Sequence, residues 1–170
     1  TRLLHSELNK SRRIVNKVVS ASAIGFYGEG PSNRAFTESD GPGSGFLADV
    51  VKKWEAEVER ISSLDIHVAM VRTGIVLSEE GGALTQMARP IRFGVGAPLG
   101  SGEQVVSWIH IDDLCRVYVH LLEKDLVGPF NATAASINNT DLTKAIAKEL
   151  NKPLWLPPVP AFVLKLILGD

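Results

Sequence analysis

Between two short apolar runs, Lys17-Val18-Val19-Ser20-Ala21-Ser22-Ala23 and Ile66-His67-Val68-Ala69-Met70-Val71-Arg72, the chain carries one long stretch of helical periodicity. This strand-helix-strand order restricts the fold more than any other feature. In the middle stretch Phe46, Leu47, Val50, Val51, Trp54, Val58 and Ile61 recur at steps of one, three and four, with Lys52, Lys53, Glu57 and Glu59 between them. That spacing predicts an amphipathic helix. Its connection to the second strand, Ser62 to Asp65, is short, as in an α-to-β unit, and two strands joined through a helix pair in parallel.

The same alternation continues. Leu3, Leu4 and Leu8 predict the end of an amphipathic helix over residues 1–12, and Gly25 to Gly45 reads as a loop long enough to be functional or mobile. After Thr73-Gly74-Ile75-Val76-Leu77 a turn at Gly81-Gly82 leads into a helix from Ala83, which is expected to stop near Pro90 for want of an amide donor. Val105 to His110 predicts a strand, Asp112-Asp113 opens a helix through Lys124, Gly128 to Ala134 predicts a short strand, and Thr140 to Leu150 a last helix. The whole is an α/β chain with a mainly parallel sheet covered on both faces. Such sheets bind ligands beyond the carboxyl ends of their strands, here Ser20 to Gly28 and Arg72 to Leu77.

Composition narrows the partners. Lys plus Arg number 18 against 19 acidic residues, so a net charge of −1 offers no field for nucleic acid or an anionic membrane. Cys115 is the single cysteine, which excludes an internal disulfide and a Cys-rich zinc site and fits the cytoplasm. With Leu114 and Val117 beside it, Cys115 is expected to be a buried small hydrophobe. The apolar run Val159 to Leu168 is broken by Pro160 and Lys165 and falls short of the roughly 20 residues that span a bilayer. Thr1-Arg2-Leu3-Leu4-His5 has no initiator Met or signal-peptide layout, and both ends read as cut edges.

Four stretches carry a resemblance. They are Ser20-Ala21-Ser22-Ala23-Ile24-Gly25-Phe26-Tyr27-Gly28, Val71-Arg72-Thr73-Gly74-Ile75-Val76-Leu77, Ser107-Trp108-Ile109-His110-Ile111-Asp112-Asp113-Leu114 and Gly128-Pro129-Phe130-Asn131-Ala132-Thr133. With the helix Gly45 to Glu55, their order resembles the extended short-chain dehydrogenase/reductases, in particular an atypical subgroup labelled nucleoside-diphosphate-sugar epimerase-like. The resemblance covers nearly the whole chain. It implies a Rossmann-type NAD(P)-binding sheet: residues 1–80 as the later part of the dinucleotide domain, and 81–170 as a substrate region interleaved with the last Rossmann elements. It implies NADP or NAD as cofactor and a nucleotide sugar as the small-molecule partner. Ser22 is then the catalytic serine, and Thr73, Gly74, Ile75 and Val76 line the nicotinamide.

Two departures qualify that expectation. The family's G-x-x-G-x-x-G strand-turn-helix, whose amides hold the pyrophosphate, is absent, and Gly94 to Gly102 has the wrong spacing and contains Pro98. Aligning Glu55 with the family's helix glutamate places Leu47 and Val51 where a tyrosine and a lysine normally move the proton. The isolated 170 residues are accordingly expected to be inactive, and a cofactor-binding protein without ordinary turnover is the alternative. Sheet edges left open are expected to favour self-association.

Other residues admit two roles. Ser22 either meets a substrate hydroxyl or carbonyl or satisfies backbone groups beside the loop. Tyr27 is a packing residue or a displaced phenol, and Arg72 faces a phosphate or pairs with a carboxylate. His110 with Asp112 lacks a third metal ligand and reads as packing and capping. Arg89 and Arg92, ahead of the glycine loop, either face a sugar-nucleotide diphosphate, as the resemblance implies, or form a solvated face.

Overall fold

A computed structural model describes residues 2–10, 15–28 and 34–160. Residues 1, 11 and 12 of the expected first helix, 29–33 of the long loop and 161–168 of the apolar tail lie outside the described residues. Two compact units divide the chain at Gly74/Ile75, Ile111/Asp112 and Ala132/Thr133, so each is discontinuous in sequence.

The first unit is built on β1 (Lys17–Ala23), β2 (His67–Thr73) and β5 (Gly128–Ala132), a parallel sheet with β2 in the centre. The register runs from Lys17 opposite His67 to Ala23 opposite Thr73, and from Ala69 opposite Gly128 to Thr73 opposite Ala132. Val68 to Arg72 are all buried, as a central strand covered on both faces requires. Helix α1 (Arg2–Lys10) precedes β1, and α2 (Phe46–Glu59) connects β1 to β2. Val58, Ile61, Ile66, Val68 and Met70 form the core, with Leu8, Val18 and Leu64 packed around them. A 3-10 turn over Arg60–Leu64 closes on Asp65, left-handed at φ 57°, and turns the chain into β2. Helix α4 (Ile111–Glu123) leads into β5 and buries Leu114 and Leu121.

Helix α2 forms where the periodicity places it, but the buried stripe differs from the most apolar one. Ala48, Val51, Glu55 and Val58 are buried, while Phe46, Leu47, Val50 and Trp54 are exposed. The buried set recurs at steps of three and four and lies about a quarter-turn around the helix from the exposed set. Cys115 corrects a second expectation, since its side chain is exposed. Leu114 and Leu121 sit seven residues apart on the inward line of α4, and the next position is rotated by about 100° away from it.

The second unit holds β3 (Ile75–Ser78), β4 (Val105–His110) and β6 (Ala135–Asn138), with β3 parallel and β6 antiparallel to β4. The expected strand over 128–134 is thus shorter, its first five residues forming β5, and an additional strand not expected from the sequence begins at Ala135 and joins the other sheet. Helix α3 (Gly82–Arg92) continues two residues past Pro90, against the expected stop. One amide bond is lost near the helix end, while Ile91, only 2% exposed, anchors the last turn in a core with Ala88, Val106, Leu142 and Ile146. Asn138 caps α5 (Asn139–Glu149), its side-chain oxygen accepting from the Asp141 amide at 2.7 Å.

Candidate functional site

Parallel register makes a row out of residues far apart in sequence. Ser22 of β1 lies opposite Arg72 of β2, and Arg72 opposite Asn131 of β5, each one residue before the end of its strand. Strand alternation sends all three side chains to one face of the sheet. Glu55 of α2 meets them there: Ser22 Oγ donates to Glu55 Oε1 at 2.6 Å. Arg72 donates through Nε to Oε1 and through Nη2 to Oε2, both at 2.8 Å. Ser22, Glu55 and Arg72 are 5%, 7% and 3% exposed. An ion pair so deep persists because it is bidentate and its remaining hydrogen-bonding capacity is used.

The free arm of the guanidinium extends the network. Arg72 Nη1 donates to Tyr27 Oη at 2.9 Å, and the guanidinium carbon lies 3.5 Å from the centre of the Phe26 ring. Tyr27 Oη lies 2.7 Å from Asn131 Oδ1 and 3.0 Å from the Thr37 carbonyl, both acceptors for its single proton. Burial by itself pulls the Arg72 pKa down, but hydrogen bonds to Glu55 and Tyr27 and the Glu55 charge leave it raised. Every buried side-chain nitrogen and oxygen among the described residues has a partner.

Residues 34–40 cover this end of the sheet. Phe36 stacks on Tyr27 with centroids 4.8 Å apart, and its carbonyl accepts from Asn131 Nδ2. Glu38 accepts from the Asn131 amide at 2.7 Å. Arg34 grips Asp40 with both terminal nitrogens, and that hydrogen bonding, aided by the Thr37 amide, holds the Asp40 carboxyl well below the usual carboxylate range. Gly43 closes the loop, its amide donating to the Phe26 carbonyl, and a Cβ there would sit 2.0 Å from the Tyr27 carbonyl oxygen. Only glycine fits.

The structure brings some expected site residues into this cluster and separates others. Ser22 is at its centre, and Arg72 pairs with a carboxylate. Thr73 ends β2, donating to the Val71 carbonyl and hydrogen-bonded to Tyr118 of α4. Burial pushes the Tyr118 phenol up, against the smaller opposing effect of Thr73. The Gly74 amide donates to Ala132, while Ile75 and Val76 begin β3 of the second unit opposite Trp108 and Ile109. Arg89 and Arg92 are exposed on the last turn of α3. In the Gly94 to Gly102 loop the amides of Leu99, Gly100 and Gly102 are taken by Asn139 Oδ1, the Val159 carbonyl and the Leu99 carbonyl, so these three are not available to a phosphate. In the sequence Glu55 is marked only by its alignment with the family's helix glutamate, and nothing local singles out Asn131 or Glu38. No cluster of three His, Cys, Asp or Glu side chains suited to a metal occurs among the described residues. A depression of about 410 Å³ between Glu59, Asp65, His67 and Gly128 lies at the amino ends of β2 and β5, away from the row.

Comparison with known proteins agrees with this fold. The epimerase family protein SDR39U1 homolog, chloroplastic, of Arabidopsis thaliana is 38% identical over 155 residues, 90% of this chain and 44% of that protein. The human epimerase family protein SDR39U1 (isoform 2), solved with NADPH, superposes with a TM-score of 0.86 at 30% identity, covering 99% of this chain and 57% of that one. The nucleoside-diphosphate sugar epimerase of Corynebacterium glutamicum gives 0.77 at 32% identity over 99% of this chain and 37% of that one. The chain spans about half the length of the curated relatives it matches. No helix among the described residues is long and apolar enough to cross a membrane. With a parallel Rossmann-type sheet in place and the profile of the NAD dependent epimerase/dehydratase family matching residues 2–132, the chain belongs to that family.

Proposed function

We propose that this stretch supplies the nicotinamide-side wall of an NAD(P)-dependent epimerase or oxidoreductase acting on nucleoside-diphosphate sugars. The observation that carries the reading is the Ser22, Arg72 and Asn131 row at the carboxyl ends of three parallel strands, where open α/β sheets take their ligands. Ser22 orients the reacting oxygen, and Thr73, Gly74, Ile75 and Val76 line the nicotinamide. The residues suit that end of the cofactor; a pyrophosphate needs a set of free amides, and the one dense glycine loop has spent several of its own. The dinucleotide supplies the hydride chemistry when bound. For the 170 residues alone we expect no activity, cytoplasmic residence in the parent, and self-association through β1.

One observation favours a second reading, cofactor binding without ordinary turnover. A Cβ on Gly25 would lie 3.6 Å from Leu47 Cβ and 3.8 Å from Val51 Cγ2, so the strand-end motif meets hydrocarbon at the two positions aligned with the proton-moving pair. Calorimetric titration of NADP and NAD into the 170-residue chain, and into a protein that also carries the other half its relatives have, tests the first reading. Binding to the longer protein alone is the expected result. Tight binding to the short chain would mean that the phosphate site lies within it. Turnover of a UDP-sugar that Ser22→Ala abolishes selects the enzyme, and binding with no turnover selects the second reading.

A further inference from the structure

A hydroxyl has one proton to give and two lone pairs to offer. At Ser22 the proton is committed, 2.6 Å from Glu55 Oε1 in a pocket where both residues are under a tenth exposed. Turning it toward a ligand would strip a buried carboxylate of a donor, which is unfavourable where water cannot replace it. Glu55 cannot rotate to follow, because Arg72 holds both its oxygens. Arg72 is fixed in turn by Tyr27 and by the Phe26 ring. Among the described residues no side chain donates to Ser22 Oγ, whose lone pairs are what it has left to offer.

Resting on the dinucleotide-site reading above, we infer that Glu55, locked by Arg72, sets the polarity of Ser22: toward a ligand the serine is a hydrogen-bond acceptor, and the site selects a group that presents an N–H or O–H. The reacting oxygen is therefore met as a hydroxyl and not as a carbonyl, unless the donor is the amide nitrogen of the nicotinamide carboxamide. Glu55 is a positioning residue, acting through Ser22. Its sequence neighbourhood gives no hint of this, since on α2 it stands as one charge among Lys52, Lys53, Glu57 and Glu59.

Paired ligands that differ by one donor test the inference on the longer protein. NADPH is compared with its 3-acetylpyridine analogue, which replaces the carboxamide NH2 by methyl. UDP-glucose is compared with 4-deoxy-4-fluoro-UDP-glucose on the cofactor-loaded protein. We expect the wild type to bind the donor-bearing member of one pair about tenfold more tightly, the size of one hydrogen bond. The pair that discriminates identifies the source of the donor. Ser22→Ala should erase the preference, Ser22→Thr should retain it, and Glu55→Gln should shrink it although Ser22 is still present, because the serine proton is then free to turn. Thermal unfolding of each variant separates this from misfolding: a merely structural role moves stability and leaves the ratio of affinities alone. Equal affinities within both pairs, or a preference that survives Ser22→Ala, would overturn the inference while leaving dinucleotide binding intact. Failure of NADPH to bind at all would overturn the underlying reading and the inference with it.

Discussion

At Arg72 burial and charge conflict, and geometry decides the outcome. A guanidinium 3% exposed is tolerated because it makes two bonds to Glu55, one to Tyr27 and a close stack on Phe26. Deleting either partner strands the other charge in the interior. We expect Arg72→Ala to lose about 3–5 kcal/mol, as buried pairs do when broken. The double variant Glu55→Gln with Arg72→Met should lose less than the sum of its single changes, because no unpaired charge remains. Urea unfolding of the wild type, Arg72→Ala, the two single variants of the cycle and the double variant measures both, and additive losses would show that the pair is not coupled. Ser22 and Arg72 were each legible in the sequence as residues at strand ends. Their adjacency was not, because 49 intervening positions carry no local signal of parallel register. Asn131, a further 59 positions on, was still less visible.

Elements were legible to the extent that one periodicity governed them. Lys17–Ala23 and Val105–His110 fold as strands with the expected bounds, since short apolar runs between turn residues have few other uses. Helix α2 shows the limit: its existence followed from spacing, its orientation did not. Of the seven apolar residues that define the periodicity, Val51, Val58 and Ile61 are buried while Phe46, Leu47, Val50 and Trp54 are exposed, and the buried face of α2 includes Glu55. A pattern that ranks residues by hydropathy places a carboxylate outside unless its buried partner is already known. The strand break after Ala132 was missed for a related reason. Thr133 and Ala134 look no less extended than their neighbours, and the change of sheet is set by pairing with β4. The start of α5 was read at Thr140, yet the side chain that closes it is Asn138. Replacing that cap with alanine should cost about 1 kcal/mol, measured as a lowered urea midpoint with unchanged slope. No change at all would mean that the Asp141 amide is satisfied by water at no loss.

Across the whole molecule the chain crosses between its two units three times, so neither unit is a continuous segment. Each has its own sheet, and the two sheets differ in what they leave open. In the first unit β1 is hydrogen-bonded to β2 on one side, and among the described residues no strand pairs with its other edge. An unpaired row of amides and carbonyls is the more demanding of the open features, because each group costs more when dry and unsatisfied than an exposed apolar side chain does. The exposed face of α2, with Phe46, Val50 and Trp54, is the competing attachment surface. We expect the 170-residue chain to associate through the β1 edge. Light scattering across a tenfold range of concentration should therefore show a mass that rises with concentration and is unaffected by Trp54→Glu. A mass that falls to the monomer on that substitution would assign the contact to the helix face. A monomer at every concentration would mean that neither surface is sticky enough to matter.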